Sequence, residues 1–140
     1  MSNVRKNERK EHSLVLLDKA LDLYDRMTTA IANEKTFDRA YANLINRIDQ
    51  EATTIYHYLR SANEDYDSRI KEDAEMRIAL EEKAIKQCMW LKTDIRLAKK
   101  KFHLRASRII FWDGLINDLI AAIKSWKKSE ETRYKETHGL

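Results

Sequence analysis

The residues with the clearest potential for chemistry lie in one short stretch, residues 96–108, with the sequence RLAKKKFHLRASR. It contains six cationic side chains and one histidine, and it has no acidic residue. Lysine and arginine bind phosphate groups through charge-assisted hydrogen bonds, so this stretch predicts contact with a polyanion such as nucleic acid. The other interpretation is a solvated corner between two helices, because charged residues also serve solubility alone.

A second chemistry depends on the spacing of arginine and histidine. Six residues separate Arg96 from His103, and four separate Arg133 from His138. Small helical ribonucleases of the HEPN class carry such a pair, in which histidine transfers protons and arginine holds the scissile phosphate. The spacing has low specificity, because twelve arginines and four histidines produce it by chance. An RNase that uses Arg96 and His103 is therefore the alternative function.

The sequence lacks the patterns that other catalytic sites require. None of the four histidines has a glutamate three residues before it, which excludes the Glu-x-x-His motifs of di-metal helical bundles. One cysteine cannot supply a cysteine-rich zinc site, and two glycines cannot build a phosphate-binding loop. Cys88 lies on an apolar helix face, where a small buried thiol is the ordinary explanation. We therefore predict that the protein is not an enzyme and needs no metal or cofactor.

These residues must be positioned by helices, because the composition favours an all-α fold. The chain has 140 residues, no proline and two glycines, which is too few turn-forming residues for a sheet protein. Apolar periodicity predicts four helices, the first with Ser13 as its N-cap, and short connections favour an antiparallel up-down-up-down four-helix bundle. The predicted divisions are a disordered or frayed N-terminal tail at residues 1–12, the four-helix bundle at 13–128 and a polar C-terminal tail at 129–140.

The same periodicity predicts which side of each helix is buried. On helix 1 the predicted face is Leu14, Leu17, Leu21, Tyr24, Met27 and Ile31. On helix 2 it is Tyr41, Ile45, Ile48, Ala52, Ile55, Leu59 and Ala62. On helix 3 this face includes Arg77 and Glu81, four residues apart. They form either a solvated ion pair where the helix outruns the core, or a desolvated contact that sets register with a neighbouring subunit.

Helices 3 and 4 are apolar over more than one stripe, as in RIIFWDGLINDLIAAI at residues 108–123. A monomeric four-helix bundle needs about one apolar stripe per helix, so the surplus predicts a second packing surface. Tryptophan suits such an interface, although a wide bundle core would also bury it. The predicted residues of an oligomer or partner interface are Trp90, Ile110, Trp112 and Trp126.

The charge distribution supports a polyanionic partner. The net charge is +4, and residues 91–140 carry twelve cations against six anions. A single cysteine indicates a reducing compartment, and no apolar run approaches the roughly 18 residues of a membrane span, so we expect a cytoplasmic protein without membrane contact. The predicted nucleic-acid-binding residues are Lys92, Arg96, Lys99, Lys100, Lys101, Arg105, Arg108, Lys124, Lys127 and Lys128.

Three segments together resemble one known family. They are LVLLDKALDLYDRM in helix 1, EKAIKQCMWLKTDIRLAKKKFHL in helix 3 and LINDLIAAIKSWKKS in helix 4. The motifs that they share with the family are the apolar pattern, Trp90 followed by Leu91, and Trp126 followed by polar residues. This pattern is similar to the accessory variability determinant family of diversity-generating retroelements, small basic four-helix-bundle proteins related to those encoded in ribosomal-RNA intervening sequences.

The resemblance implies a function without catalysis. Members of that family assemble as barrel-like pentamers, bind RNA or DNA through a basic surface and associate with a reverse transcriptase during mutagenic copying of template RNA. On that basis we expect a ring-like homo-oligomer with a reverse transcriptase and nucleic acid as partners. The residues alone leave a third function open, a purely structural helical adaptor whose basic stretch is solvated surface.

Overall fold

Four helices make up most of residues 2–139, the part of the chain that this computed structural model describes, with side chains described over residues 13–139. The helices are α1 (Ser2–Ile31), α2 (Ala42–Glu64), α3 (Lys71–Phe102) and α4 (Ala106–His138), and a single 3-10 turn, Arg39–Tyr41, precedes α2. No strand occurs within residues 2–139. The all-α prediction is confirmed.

Consecutive helices are neighbours and run antiparallel, as short connections require. The helix pairs in contact are α1–α2, α2–α3, α3–α4 and α1–α4, which closes the bundle. Between α3 and α4, Lys92 contacts Asn117 whereas Arg96 contacts Asp113, so the residue numbers rise on one helix as they fall on the other. The two helices that carry the basic stretch therefore lie side by side and meet at their shared corner.

The buried faces of α2 and α3 follow the predicted spacing, whereas the face of α1 does not. Tyr41 is a correction to the predicted face of helix 2, because it is exposed and ends the 3-10 turn before α2. The α2 face is buried from Ile45 to Ala62, and the α3 face from Ala74 to Ala98. On α1, Leu14 and Leu21 are exposed, which corrects the predicted face. The residues that α1 buries instead are Leu16, Ala20 and Leu23 together with Met27 and Ile31. The sequence of α1 contains two apolar stripes of similar helical spacing, one through Leu14 and one through Leu16, and both include Met27 and Ile31. Packing against the other helices determines that the stripe through Leu16 is buried.

The first and last helices extend beyond residues 13–128. Ser13 is a buried residue inside α1 and not its N-cap, because the helix begins at Ser2. Fraying of residues 1–12 stays a prediction, since Met1 lies outside the described residues and no side chain before Ser13 is described. At the other end, α4 continues past residue 128 to His138, and Glu130 is buried. The glutamate of this polar segment has a buried partner, described below.

The corner between α3 and α4 is built from three residues. His103 ends α3 in the left-handed conformation, with φ of 53°, which histidine adopts more readily than most residues. The backbone N–H of Leu104 donates to the carbonyl oxygen of Lys99 at 3.1 Å, which satisfies one of the last carbonyls of α3. The Leu104 side chain is buried, and Arg105 is the N-cap residue of α4. The corner therefore has a defined backbone path that holds the neighbouring cations in place.

Candidate nucleic-acid interface

The basic stretch forms a surface at this corner, which we call the basic corner and define as Lys99, Lys100, Lys101, Arg105 and Arg108. The three lysines occupy the last turn of α3, and the arginines are the N-cap residue and a first-turn residue of α4. All of these side chains are exposed except Arg108, which is half-buried.

An aromatic cluster packs against the basic corner. The ring centroid of the buried Phe102 lies 4.8 Å from that of Phe37 and 5.6 Å from that of Tyr41. Such tilted and edge-to-face pairs stabilise packing beyond the area that they bury. Lys101 places its Nζ 5.5 Å from the Tyr41 ring centroid, and the Arg108 guanidinium lies 4.9 Å from that of Trp112. Two of the five cations are thus oriented by aromatic rings rather than by carboxylates.

The cations of the basic corner have no acidic partner among the side chains that the structure describes. Among residues 13–139, no carboxylate lies within salt-bridge distance of any of its five cations. The three lysines have a structural reason for their position, because cations favour the negative end of a helix dipole. Arg105 and Arg108 lie at the positive end of α4, whose first turn contains no acidic residue, so the helix dipole does not favour them. Arg108 is held there by the Trp112 ring, whereas Arg105 is exposed. An anion bound there would offset this repulsion.

The other predicted binding residues lie elsewhere or already have partners. Arg96 donates to Asp113 at 2.7 Å, Lys92 donates to the Asn117 side chain at 2.9 Å, and Lys127 forms a 3.0 Å ion pair with Glu131. The other two members, Lys124 and Lys128, are exposed on α4. Lys124 is sixteen residues beyond Arg108, about 24 Å along the helix axis. The structure therefore divides the predicted set into the basic corner, an α3–α4 seam and a separate group on α4.

The two arginine–histidine pairs of the RNase alternative have different surroundings. Arg96 is held by Asp113, and it precedes His103 by seven residues, about 10 Å along the axis of α3. Arg133 and His138 both contact Ser68, at 3.1 Å through its hydroxyl and at 3.0 Å through its carbonyl oxygen. These contacts attach the end of α4 to the loop between α2 and α3, which gives the second pair a structural role.

The predicted interface residues separate into two groups. Trp90 and Ile110 are 63% and 71% exposed, so both are available to a partner. Trp112 and Trp126 differ from the prediction, because they are buried in the chain's own core. Their spacing of fourteen residues places them on the inward stripe of α4, and a bundle core takes up tryptophan as readily as an interface does.

A buried charged cluster lies at the other end of the bundle, and it overturns the solvated interpretation of Arg77 and Glu81. Arg77 donates to Glu130 at 2.7 Å and to the backbone carbonyl oxygens of Asn63 and Tyr66 at 3.3 and 2.9 Å. Glu81 is fully buried, and neither of its side-chain oxygens has a hydrogen-bond partner among the described residues. Burial, with a smaller contribution from Glu130, raises the pKa of Glu81 to about 9.

A second buried carboxyl lies between α2 and α3, and sequence reasoning did not single it out. Glu51 is buried beside Asp94, which Arg47 contacts through two hydrogen bonds of 3.1 and 3.2 Å. Burial and the neighbouring Asp94 raise the pKa of Glu51 to about 9. Little in the sequence indicated that Glu51 is buried. It directly precedes the buried seam residue Ala52, but the other acidic residues of α2 are exposed.

Other chemistry is limited in the part of the chain that the structure describes. There, no group of three or more His, Cys, Asp or Glu side chains is arranged to hold a metal ion. Cys88 is fully buried, and burial raises the pKa of its thiol to about 12, which agrees with a structural role. Among the described helices, none has an apolar run that could span a membrane.

In comparisons with known proteins, no family model, curated protein or solved structure matched this chain.

Proposed function

We propose that this protein binds nucleic acid through the basic corner and catalyses no reaction on it. The observation that carries the proposal is a cluster of five cations without a carboxylate partner among residues 13–139. Arg105 and Arg108 support it most strongly, because they lie at the helix end where the α4 dipole opposes a cation. Phosphate groups would neutralise both the side chains and the exposed backbone N–H groups of that turn.

Contacts of this kind determine affinity more than sequence preference. Lysine and arginine side chains on phosphates release counterions from the nucleic acid, so binding weakens steeply as salt concentration rises. Base edges are read by side chains that enter a groove, whereas phosphate contacts only position the protein. The basic corner should therefore bind RNA or DNA with little sequence specificity, which suits an accessory protein that follows a copied template.

The proposal extends to assembly and partner through the resemblance to the accessory variability determinant family. We expect a ring-like homo-oligomer, a pentamer by that resemblance, that associates with the reverse transcriptase of a diversity-generating retroelement. Exposed Trp90 and Ile110 support an additional packing surface. A ring would repeat the basic corner around its circumference, and several weak sites on one strand increase the overall affinity.

The test is a charge reversal of the three exposed lysines, K99E/K100E/K101E. Titration of a fluorescent oligonucleotide at several salt concentrations gives the affinity and its dependence on salt. Loss of about three phosphate contacts should weaken binding and reduce the slope of log K against log salt by about 2 to 3. The matched control is K19E/K83E/K135E, which makes the same charge change at exposed lysines outside the basic corner.

Three results would contradict the proposal. Equal losses in the two triple variants would mean that net charge acts without a site at the corner. Cleavage of RNA by the purified protein, abolished by His103→Ala, would favour the RNase alternative instead. Absence of binding at low salt would leave the structural adaptor as the function.

A further inference from the structure

An open depression of about 500 Å³ lies beside the basic corner, and its lining is chemically mixed. Its volume is within the range of small-ligand sites. Phe111 contributes an aromatic ring that is 49% exposed. Arg105 and Arg108 contribute guanidinium groups. The remaining lining residues are Thr36, His103, Leu104 and Ser107.

The ring of Phe111 is held in place although it is half exposed. The Arg26 guanidinium lies over it, 5.2 Å from the ring centroid, and Arg26 is itself fixed by a 2.9 Å hydrogen bond to Asp22. A buried ring would contribute to the core, but this one presents about half of its surface to the depression and to solvent. An exposed aromatic face beside arginines can stack against another flat group.

An unpaired nucleobase has the properties that this depression fits. Single-stranded nucleic acid is bound where a cationic groove follows the backbone and aromatic side chains stack on successive bases. Here Arg105 and Arg108 are close enough to Phe111 to line the same depression, so one nucleotide could place its phosphate on an arginine and its base on the ring. In duplex nucleic acid the bases are stacked on one another, so their faces cannot reach Phe111.

We propose that this depression binds an unpaired nucleotide, with Phe111 as the stacking platform, and that the protein therefore prefers single-stranded RNA or DNA to duplex. This inference rests on the proposed nucleic-acid function and names its substrate class. Phe111 is a binding residue in this proposal, and Ser107 and Thr36 supply hydroxyl groups that can donate to the sugar or the phosphate.

The experiment compares a twelve-nucleotide oligothymidylate with an abasic oligomer of the same length and with a duplex, for the full chain and for Phe111→Ala. Base stacking on an aromatic side chain corresponds to about 5-fold to 150-fold in affinity. One side of the ring is already covered by Arg26, so we expect the lower end of that range, about 5-fold to 10-fold, for Phe111→Ala on the oligothymidylate. Its affinity for the abasic oligomer and the duplex should change less than twofold, and the salt slope should stay the same, because no phosphate contact is lost. An oligouridylate measured in parallel tells RNA from DNA.

Two further variants keep the test specific. Phe111→Tyr retains the ring and should restore the preference for bases. Met76→Ala removes an exposed apolar side chain early in α3, far from this depression, and should leave every affinity unchanged.

The outcomes separate this inference from the function on which it rests. If the unmodified protein binds no oligomer, both fail. If it binds with the expected salt dependence but Phe111→Ala weakens the abasic oligomer and the oligothymidylate equally, or weakens neither, the nucleotide site is wrong and the basic corner stands. A duplex affinity equal to or above the single-strand affinity would also overturn the inference.

Discussion

The protonation of Glu81 should make the stability of the fold depend on pH. This side chain is fully buried, and its pKa is raised from an ordinary 4.5 to about 9. The folded protein therefore retains a proton at pH 7 that the unfolded chain releases. For an acid with a raised pKa, the stabilising contribution is complete below pH 4.5 and is lost progressively as the pH rises to about 9.

Glu81→Gln tests this, because glutamine has the shape of the protonated acid and does not ionise. Each pH unit above 4.5 costs the wild type roughly 1.4 kcal/mol, so the variant should gain about 3 kcal/mol of unfolding free energy at pH 7. At pH 5 the gain should be below about 1 kcal/mol. The groups that interact with Glu81 are Arg77 on its own helix and Glu130, Arg133 and Lys127 on α4, and these remain in the variant.

Urea denaturation followed by circular dichroism at pH 5, 6, 7 and 8 measures these free energies. The matched control is Glu82→Gln, an exposed neighbour on the same helix, which should change stability by no more than about 0.5 kcal/mol at every pH. The reasoning is refuted if Glu81→Gln and the wild type lose stability in parallel between pH 5 and pH 8. That result would mean that the carboxyl is ionised in the folded protein.

Two further predictions concern stability and assembly. Arg77→Met leaves Glu130 buried without its 2.7 Å partner and should lower the unfolding free energy by about 3 to 5 kcal/mol, whereas Arg77→Met with Glu130→Met should lose less, because both charges are removed together. A double variant less stable than the single one would contradict this account of the pair. In light scattering, the wild type should have the mass of several chains, and Trp90→Glu or Ile110→Glu should reduce it, whereas Leu97→Glu, also exposed, should not. A wild type with the mass of one chain would remove the ring from the proposal.

The seams of α2 and α3 and the position of the corner could be predicted from sequence, because they depend on local spacing. Alternating steps of three and four residues place side chains on one helix face whatever the neighbours are, so the seam of α2 from Ile45 to Ala62 was predictable. The lack of turn-forming residues likewise determined the all-α class. For α1 the same rule allowed two stripes, and only packing against the other helices decided between Leu14 and Leu16.

The chemistry of the charged residues depended on contacts between distant segments. Arg77 and Glu130 are 53 residues apart, and a glutamate in a polar segment has no sequence feature that marks it as buried. Within the basic stretch, local composition predicted a cationic surface, but tertiary structure assigned Arg96 to Asp113 and brought Thr36 to the same depression as Arg105. Helical periodicity acts along one helix, whereas ion pairing, desolvation and the shape of a depression depend on which helices meet.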